Sequence, residues 1–194
     1  MQSKSFSLKL NHKIKPFDKS IEVDSDKSLS IRSFLISSIS QDISIAKNVL
    51  ESDDVISTIN CLKKLGVKIK RNKPGSYKIY GKGFGSLFAK KNLVLNFGNS
   101  GTLARLLIGI LSTTPDIEIK IQGDHSLNKR SMKKLIKIMS EFGAEFLPKN
   151  KFNFPLKLIS TEMPICIKYK AGVSAQLKSA VILAGLNAFG TTEV

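Results

Sequence analysis

The stretch NSGTLARLLIG, residues 99–109, decides the reading of this chain because it occurs in three forms. It aligns without a gap with DKSLSIRSFLI at residues 26–36 and with GVSAQLKSAVI at residues 172–182. In each form a small residue (Ser28, Gly101 or Ser174) stands four positions before a cation (Arg32, Arg105 or Lys178), and an apolar run follows. The cations at 32, 105 and 178 are separated by successive intervals of 73 residues. Polar sequence rich in glycine or serine that opens an apolar helix presents backbone N–H groups and the positive end of a helix dipole to an anion. Three such openings predict a site for a ligand with several negative charges.

A second recurrence lies between them. Val55, Ile56, Ile59, Leu62 and Leu65 precede Gly66 as Met132, Leu135, Ile136, Met139 and Phe142 precede Gly143, the pattern of amphipathic helices closed by a C-terminal glycine. The second of these helices is expected as one piece over residues 127–142, and the first after Ser52, Asp53 and Asp54. Strands are expected at residues 5–10, 20–23, 67–70, 77–80, 93–96, 117–121, 145–147, 155–159 and 165–169. The order strand, helix, strand, helix, strand, strand predicts an α/β class with mixed sheets, repeated every 75 residues or so. The third copy starts near Gly172 and stops at Val194, so we expect the front part of a longer protein.

The chain has 194 residues, 42% of them hydrophobic, enough for a substantial core. Its formal charge is +16, from 31 basic and 15 acidic residues. That charge raises a nucleic-acid reading. Against it, there is no tryptophan, aromatic residues make up 7%, and none interleaves with the lysine clusters at 68–73 and 129–137. We therefore expect no nucleic-acid partner and no membrane partner, because the apolar runs are too short to span a bilayer. Cys61 and Cys166 lack metal-ligand spacing and suit a reducing, cytoplasmic setting. Neither has a catalytic signature, and no metal or cofactor is expected.

Lys27, Ser28 and Arg32 form the sharpest group, with Ser28 expected to cap the helix and both cations aimed at one anion. In GNSGTLAR, residues 98–105, two glycines after an apolar strand let backbone approach a phosphate, without P-loop spacing. In GDHSLNKR, residues 123–130, Arg130 is expected in the first turn of a helix, reaching back to a phosphate. Gln176, between Ser174 and Lys178, offers an uncharged amide to a hydroxyl or phosphate. His12 and His125 have no partner in sequence and are expected at the surface.

Taken in order, DKSLSIR, SDDV, GNSGTLAR, GDHSLNKRSM and SAQLKSA resemble the front half of the 5-enolpyruvylshikimate-3-phosphate synthase family. The resemblance implies the enolpyruvyl transferase fold: two globules, each of three βαβαββ units, with substrates in the cleft between them. Here it implies two units, about 25–97 and 98–171, plus the start of a third at 172–194. It also implies that residues 1–24 belong with a second globule. By resemblance, Lys27 touches both shikimate 3-phosphate and phosphoenolpyruvate and is the catalytic candidate. Ser28, Arg32, Ser174 and Gln176 hold shikimate 3-phosphate, whereas Gly101, Arg130 and Gln176 meet phosphoenolpyruvate. Arg105 is expected to be mainly structural, close to the same pocket. A complete protein of this kind is expected to be monomeric.

Several positions depart from the family pattern. Asp24 and Ser25 replace Pro-Gly, Ile31 replaces His or Asn, Ser131 replaces Pro, and Ala175 stands where some members have a second serine. The rival reading is the related UDP-N-acetylglucosamine enolpyruvyl transferase of cell-wall synthesis, against which DKSLSIR, SAQLKSA and the helical position of Cys61 argue. A basic nucleic-acid-binding protein is the alternative from a different class, favoured by charge alone.

Overall fold

The computed structural model describes Ser7, Lys9, Asn11, Pro16, Asp18, Ser20, Ile21 and residues 23–194. The expected strand at 5–10 lies largely outside these residues, as does His12. Ser20, Ile21 and Val23 are not in a strand.

The first unit is α1 (Lys27–Ile39), β1 (Ile43–Ala46), α2 (Asp53–Lys64), β2 (Lys68–Lys73) and β3 (Ser76–Tyr80). Its three strands form an antiparallel sheet in the order β1-β3-β2. β1 is too short, and its two isoleucines too exposed, to have stood out in the sequence; Ile43 and Ile45 face outward. The second unit is β4 (Val94–Asn96), α3 (Gly101–Ser112), β5 (Glu118–Gln122), α4 (His125–Lys129), α5 (Lys133–Glu141), β6 (Glu145–Leu147) and β7 (Leu156–Ile159). Its sheet runs β4-β5-β7-β6, with β4 parallel to β5 and the other pairs antiparallel. The order β5-β7-β6 thus repeats β1-β3-β2.

The expected helix over 127–142 is two helices. Asp124 caps α4 by accepting from Leu127 N at 2.7 Å, and Arg130 ends it in an extended conformation, ψ 132°. Met132 N then donates to Phe152 O at 2.6 Å, which holds the break open before α5 starts.

Gly66 and Gly143 close α2 and α5 at φ +87° and +108°, left-handed values that a side chain disfavours. In both places the following N–H reaches back five residues, Val67 to Leu62 O at 3.0 Å and Ala144 to Met139 O at 3.2 Å. These are Schellman closures. A third unit opens with α6 (Ala175–Gly185), flanked by isolated parallel bridges Ile165–Phe189 and Lys168–Glu193. This repeats the β4-α3-β5 crossover. The strand expected at 165–169 is present only as those bridges.

One core joins both units. α3 is apolar and almost wholly buried, and it packs on α6 where Gly109 meets Ala180; a Cβ at 109 would lie 2.6 Å from Ala180 O. That contact brings the two helix starts side by side.

A carboxylate clamp ties the loop before α2 to the β2–β3 hairpin. Glu51 Oε1 accepts from Arg71 Nε at 2.8 Å, Tyr77 OH at 2.7 Å and Gly75 N at 3.1 Å. Arg71 foremost, then Tyr77 and the Gly75 N–H, hold the Glu51 carboxyl at about 2, below its ordinary 4.5. A carboxylate with a depressed folded-state pKa stabilises the fold above the unfolded value, and that contribution is lost as pH falls through the folded one. Glu51→Gln is therefore expected to lower the melting temperature at pH 7. Melting curves should show its deficit shrinking between pH 4.5 and pH 2; a deficit constant over that window would refute the linkage.

Candidate active site

Lys27, Asp54, Asn99, Gly101, Thr102, Arg105, Arg130 and Gln176 line one open cleft of about 390 Å³. Helix starts supply most of it. Lys27 is the first residue of α1, Asp54 the second of α2, Gly101 and Thr102 the first two of α3, and Gln176 the second of α6. The N-terminal ends of four helix dipoles therefore border the same space.

Side-chain bonds fix the walls. Lys27 Nζ pairs with Asp54 Oδ2 at 3.0 Å. Arg130 Nη2 donates to Asn99 Oδ1 at 2.7 Å and to Ser126 Oγ at 3.4 Å. Arg105 Nη1 donates to Gly101 O at 3.0 Å, and Gln176 Nε2 to Thr102 Oγ1 at 2.9 Å. Among the described lining residues, three cations thus meet a single carboxylate, already paired. Burial, and then the charge of Arg130, holds the Arg105 guanidinium below its usual pKa. Two guanidinium groups held close together without an intervening acid are stabilised by an anion placed between them.

Lys27, Gly101, Arg130 and Gln176 come together in this cleft, while Ser28, Arg32 and Ser174 are not in its lining. Ser28 does not cap α1. Asp26 does, its Oδ1 accepting from Leu29 N at 2.6 Å, because its carboxylate sits one residue before the first helical position. Ser174 caps α6 through Leu177 N at 3.4 Å and borders a neighbouring hollow that shares Arg105. Arg32 has a buried Nη1 without a hydrogen-bond partner among the described residues. Arg130 ends α4 rather than opening a helix, yet still reaches the cleft.

Helix phase explains this sorting. The N-caps Asp26, Ser100 and Ser174 are 74 residues apart, not 73. Arg32, Arg105 and Lys178 accordingly stand six, five and four residues past their caps. One residue is about 100° of helix rotation, so the three cations point in different directions. Arg105 faces the cleft, and Lys178 is exposed.

Residues 11–194 match the family described as EPSP synthase (3-phosphoshikimate 1-carboxyvinyltransferase). The chain belongs to that family. It is 39% identical over 180 residues to the 3-phosphoshikimate 1-carboxyvinyltransferase of Paramagnetospirillum magneticum, covering 92% of this chain and 40% of the relative. It is 39% identical over 185 residues to that of Syntrophomonas wolfei, covering 95% of this chain and 42% of the relative. The solved EPSP synthase of Acinetobacter baumannii superposes with a TM-score of 0.81 at 34% identity, over 89% of this chain and 39% of that one. The chain therefore spans about two fifths of the length of these EPSP synthase relatives.

Sequence reasoning did not single out Asp54, Asn99 or Thr102 as lining residues. SDDV and GNSGT held the signal, but the first reads as helix-start acidity and the second as backbone flexibility. Among the described residues no cluster of three His, Cys, Asp or Glu could hold a metal, and no helix is long and apolar enough to cross a membrane. Cys61 is buried in α2 and donates to Asn96 O at 3.4 Å; burial pushes its thiol up to about 12. A thiol so raised is protonated at neutral pH.

Proposed function

We propose that the chain is the front portion of an enzyme that transfers the enolpyruvyl group of phosphoenolpyruvate to the 5-hydroxyl of shikimate 3-phosphate, releasing phosphate. The observation that carries this reading is the convergence of Lys27, Gly101, Arg130 and Gln176 on one cationic cleft in an EPSP synthase family chain. Both substrates are polyanions. In the reaction the hydroxyl oxygen adds to C2 while C3 gains a proton. The hydroxyl proton leaves to a base as its oxygen adds; loss of a C3 proton and breaking of the C2–O bond to phosphate then form the vinyl ether. Holding two phosphates and their carboxylates in place as charge shifts is work for fixed cations and helix ends.

Lys27 is assigned to both substrates and to the reacting atoms, where its ammonium meets charge as it develops. Arg130, with Gly101 and Gln176, takes the phosphoenolpyruvate end. Ser28, Arg32, Ser174 and Gln176 take shikimate 3-phosphate. The unpartnered buried nitrogen of Arg32 supports its part, since an acceptor from an anion satisfies it. Thr102 holds the Gln176 amide by its nitrogen, and the amide oxygen is assigned to accept from a hydroxyl. The remaining contacts and acid–base groups come from a second globule, with which residues 1–24 are assigned. The complete protein is assigned to the cytoplasm as a monomer.

The test is a calorimetric titration and a phosphate-release assay. The 194-residue chain is expected to bind shikimate 3-phosphate, to ignore UDP-N-acetylglucosamine, and to release phosphate at background rate. Joined to the remainder of the Paramagnetospirillum relative, it is expected to turn over. Preferential binding of the UDP-sugar, or an inactive but folded fusion, would sink the proposal.

A further inference from the structure

The outward face of the first sheet has a composition that the cleft does not explain. By register, Ile43 lies beside Tyr80 and Tyr80 beside Lys68; in the next row Ile45 lies beside Lys78 and Lys78 beside Lys70. The alternate residues Ile69, Tyr77 and Ile79 are buried in the core. Ile43 and Ile45 are 49% and 60% exposed, and form an apolar column along the edge strand. The Lys68 and Lys78 ammonium groups lie 5.0 and 5.5 Å from the Tyr80 ring centre. None of the three strands contains an acidic residue.

The second sheet supplies an internal comparison, because its β5-β7-β6 part repeats the order β1-β3-β2 but carries both signs of charge. There Lys157 pairs with Glu118, and Glu145 pairs with Lys149 at 3.1 Å. Excess positive charge on this face is therefore special to the first unit and not a requirement of the fold.

We propose that this face docks the chain on an anionic lipid surface. Lysines act there as point charges toward a diffuse layer of headgroups, and their long stems let the ammonium groups follow it. The isoleucine column beside them can enter the headgroup boundary. A second copy of the chain would bring the same lysines into opposition, which disfavours self-association. A base-stacking platform needs successive aromatic rings, and the three strands present one on this face, Tyr80, with two ammonium groups 5.0 and 5.5 Å from its centre. The absence of a spanning helix, from which no membrane partner was expected, does not bear on such peripheral contact. This inference is independent of the reaction proposed above.

Co-sedimentation at low salt with vesicles of phosphatidylserine and phosphatidylcholine in equal parts tests it. The chain is expected to partition onto these vesicles and not onto phosphatidylcholine alone. Each surface lysine contributes about fivefold, so Lys68→Gln, Lys70→Gln and Lys78→Gln together should lower partitioning roughly a hundredfold. Ile43→Ser with Ile45→Ser should lower it as well. Lys120→Gln, Lys149→Gln and Lys157→Gln remove the same charge from the second sheet and the turn after β6, and should cost far less. All three variants change surface positions, and circular dichroism is the check on their folding. Three results would overturn the proposal: no partition onto the anionic vesicles, equal loss in both lysine triples, or binding to homopolymeric RNA that the first triple abolishes while vesicle binding persists.

Discussion

Replacing Lys27 by alanine is expected to weaken shikimate 3-phosphate binding by more than the loss of one charge–charge contact. A hydrogen bond to a charged group contributes about 1.5–3 kcal/mol, or roughly ten- to a hundredfold in affinity. Here the partner left behind adds to the loss. Asp54 Oδ2, paired with Lys27 at 3.0 Å, lies in the cleft with its side chain 18% exposed. Without the ammonium it becomes an unpaired negative charge facing an anionic ligand. Adding Asp54→Asn to Lys27→Ala should therefore restore roughly fivefold of the lost affinity, the ~1 kcal/mol of two like charges about 4 Å apart in a water-filled cleft. Calorimetric titration of the wild type, both single variants and the double variant closes the cycle. If the double variant binds no better than Lys27→Ala, Asp54 is not an electrostatic partner within the site, and the cleft is not organised as described.

The cycle also shows how far a sequence reading reaches. The two repeated units, their alternation of helices with short strands and the glycine closures at Gly66 and Gly143 follow from periodicity, because a buried face imposes its spacing on the chain; the mixed sheet expected of both units is found in the second, while the first is all antiparallel. What periodicity leaves open is rotational phase. Aligning Ser28, Gly101 and Ser174 by residue type treats them as equivalent, yet they are the second residue of α1, the first of α3 and the cap of α6. That one-residue drift sends Arg32, Arg105 and Lys178 in different directions. Arg105, expected to be mainly structural, consequently lines the cleft.

Arg130 shows a different limit. Its place in the cleft depends on a helix break that a continuous amphipathic pattern conceals. Leu127, Met132, Leu135 and Ile136 are all buried, so the apolar face carries on across the break. The break is made by Asp124, which caps a separate helix, and by a long-range bond from Met132 N to Phe152 O. The latter is a tertiary contact and leaves no trace in the spacing. Asp54 was hidden for the opposite reason: an acid at a helix start already has a sufficient local explanation, and its partner Lys27 is on another helix.

Gly101→Ala should separate folding from ligand binding at the tip of α3. A Cβ there would lie 2.7 Å from Arg105 Nη1 and 3.4 Å from Arg130 Nη1. Both are ends of flexible side chains, so the fold can yield at small cost, and the helix itself gains from exchanging glycine for alanine. The melting temperature is expected to stay within a few degrees of wild type. The same adjustment moves Arg105 away from Gly101 O, which it now holds at 3.0 Å, and intrudes on the space between the two guanidinium groups. If phosphoenolpyruvate occupies that space, its affinity should fall by roughly ten- to a hundredfold, the range for a lost charged hydrogen bond. Shikimate 3-phosphate shares Lys27 and Gln176 with this cleft but is also assigned to Ser28, Arg32 and Ser174 outside its lining, so it should lose much less. The comparison is best made by titrating each ligand in the presence of the other. Equal losses for both would mean that the methyl group disturbs the whole cleft, and an unchanged phosphoenolpyruvate affinity would remove that ligand from the tip of α3.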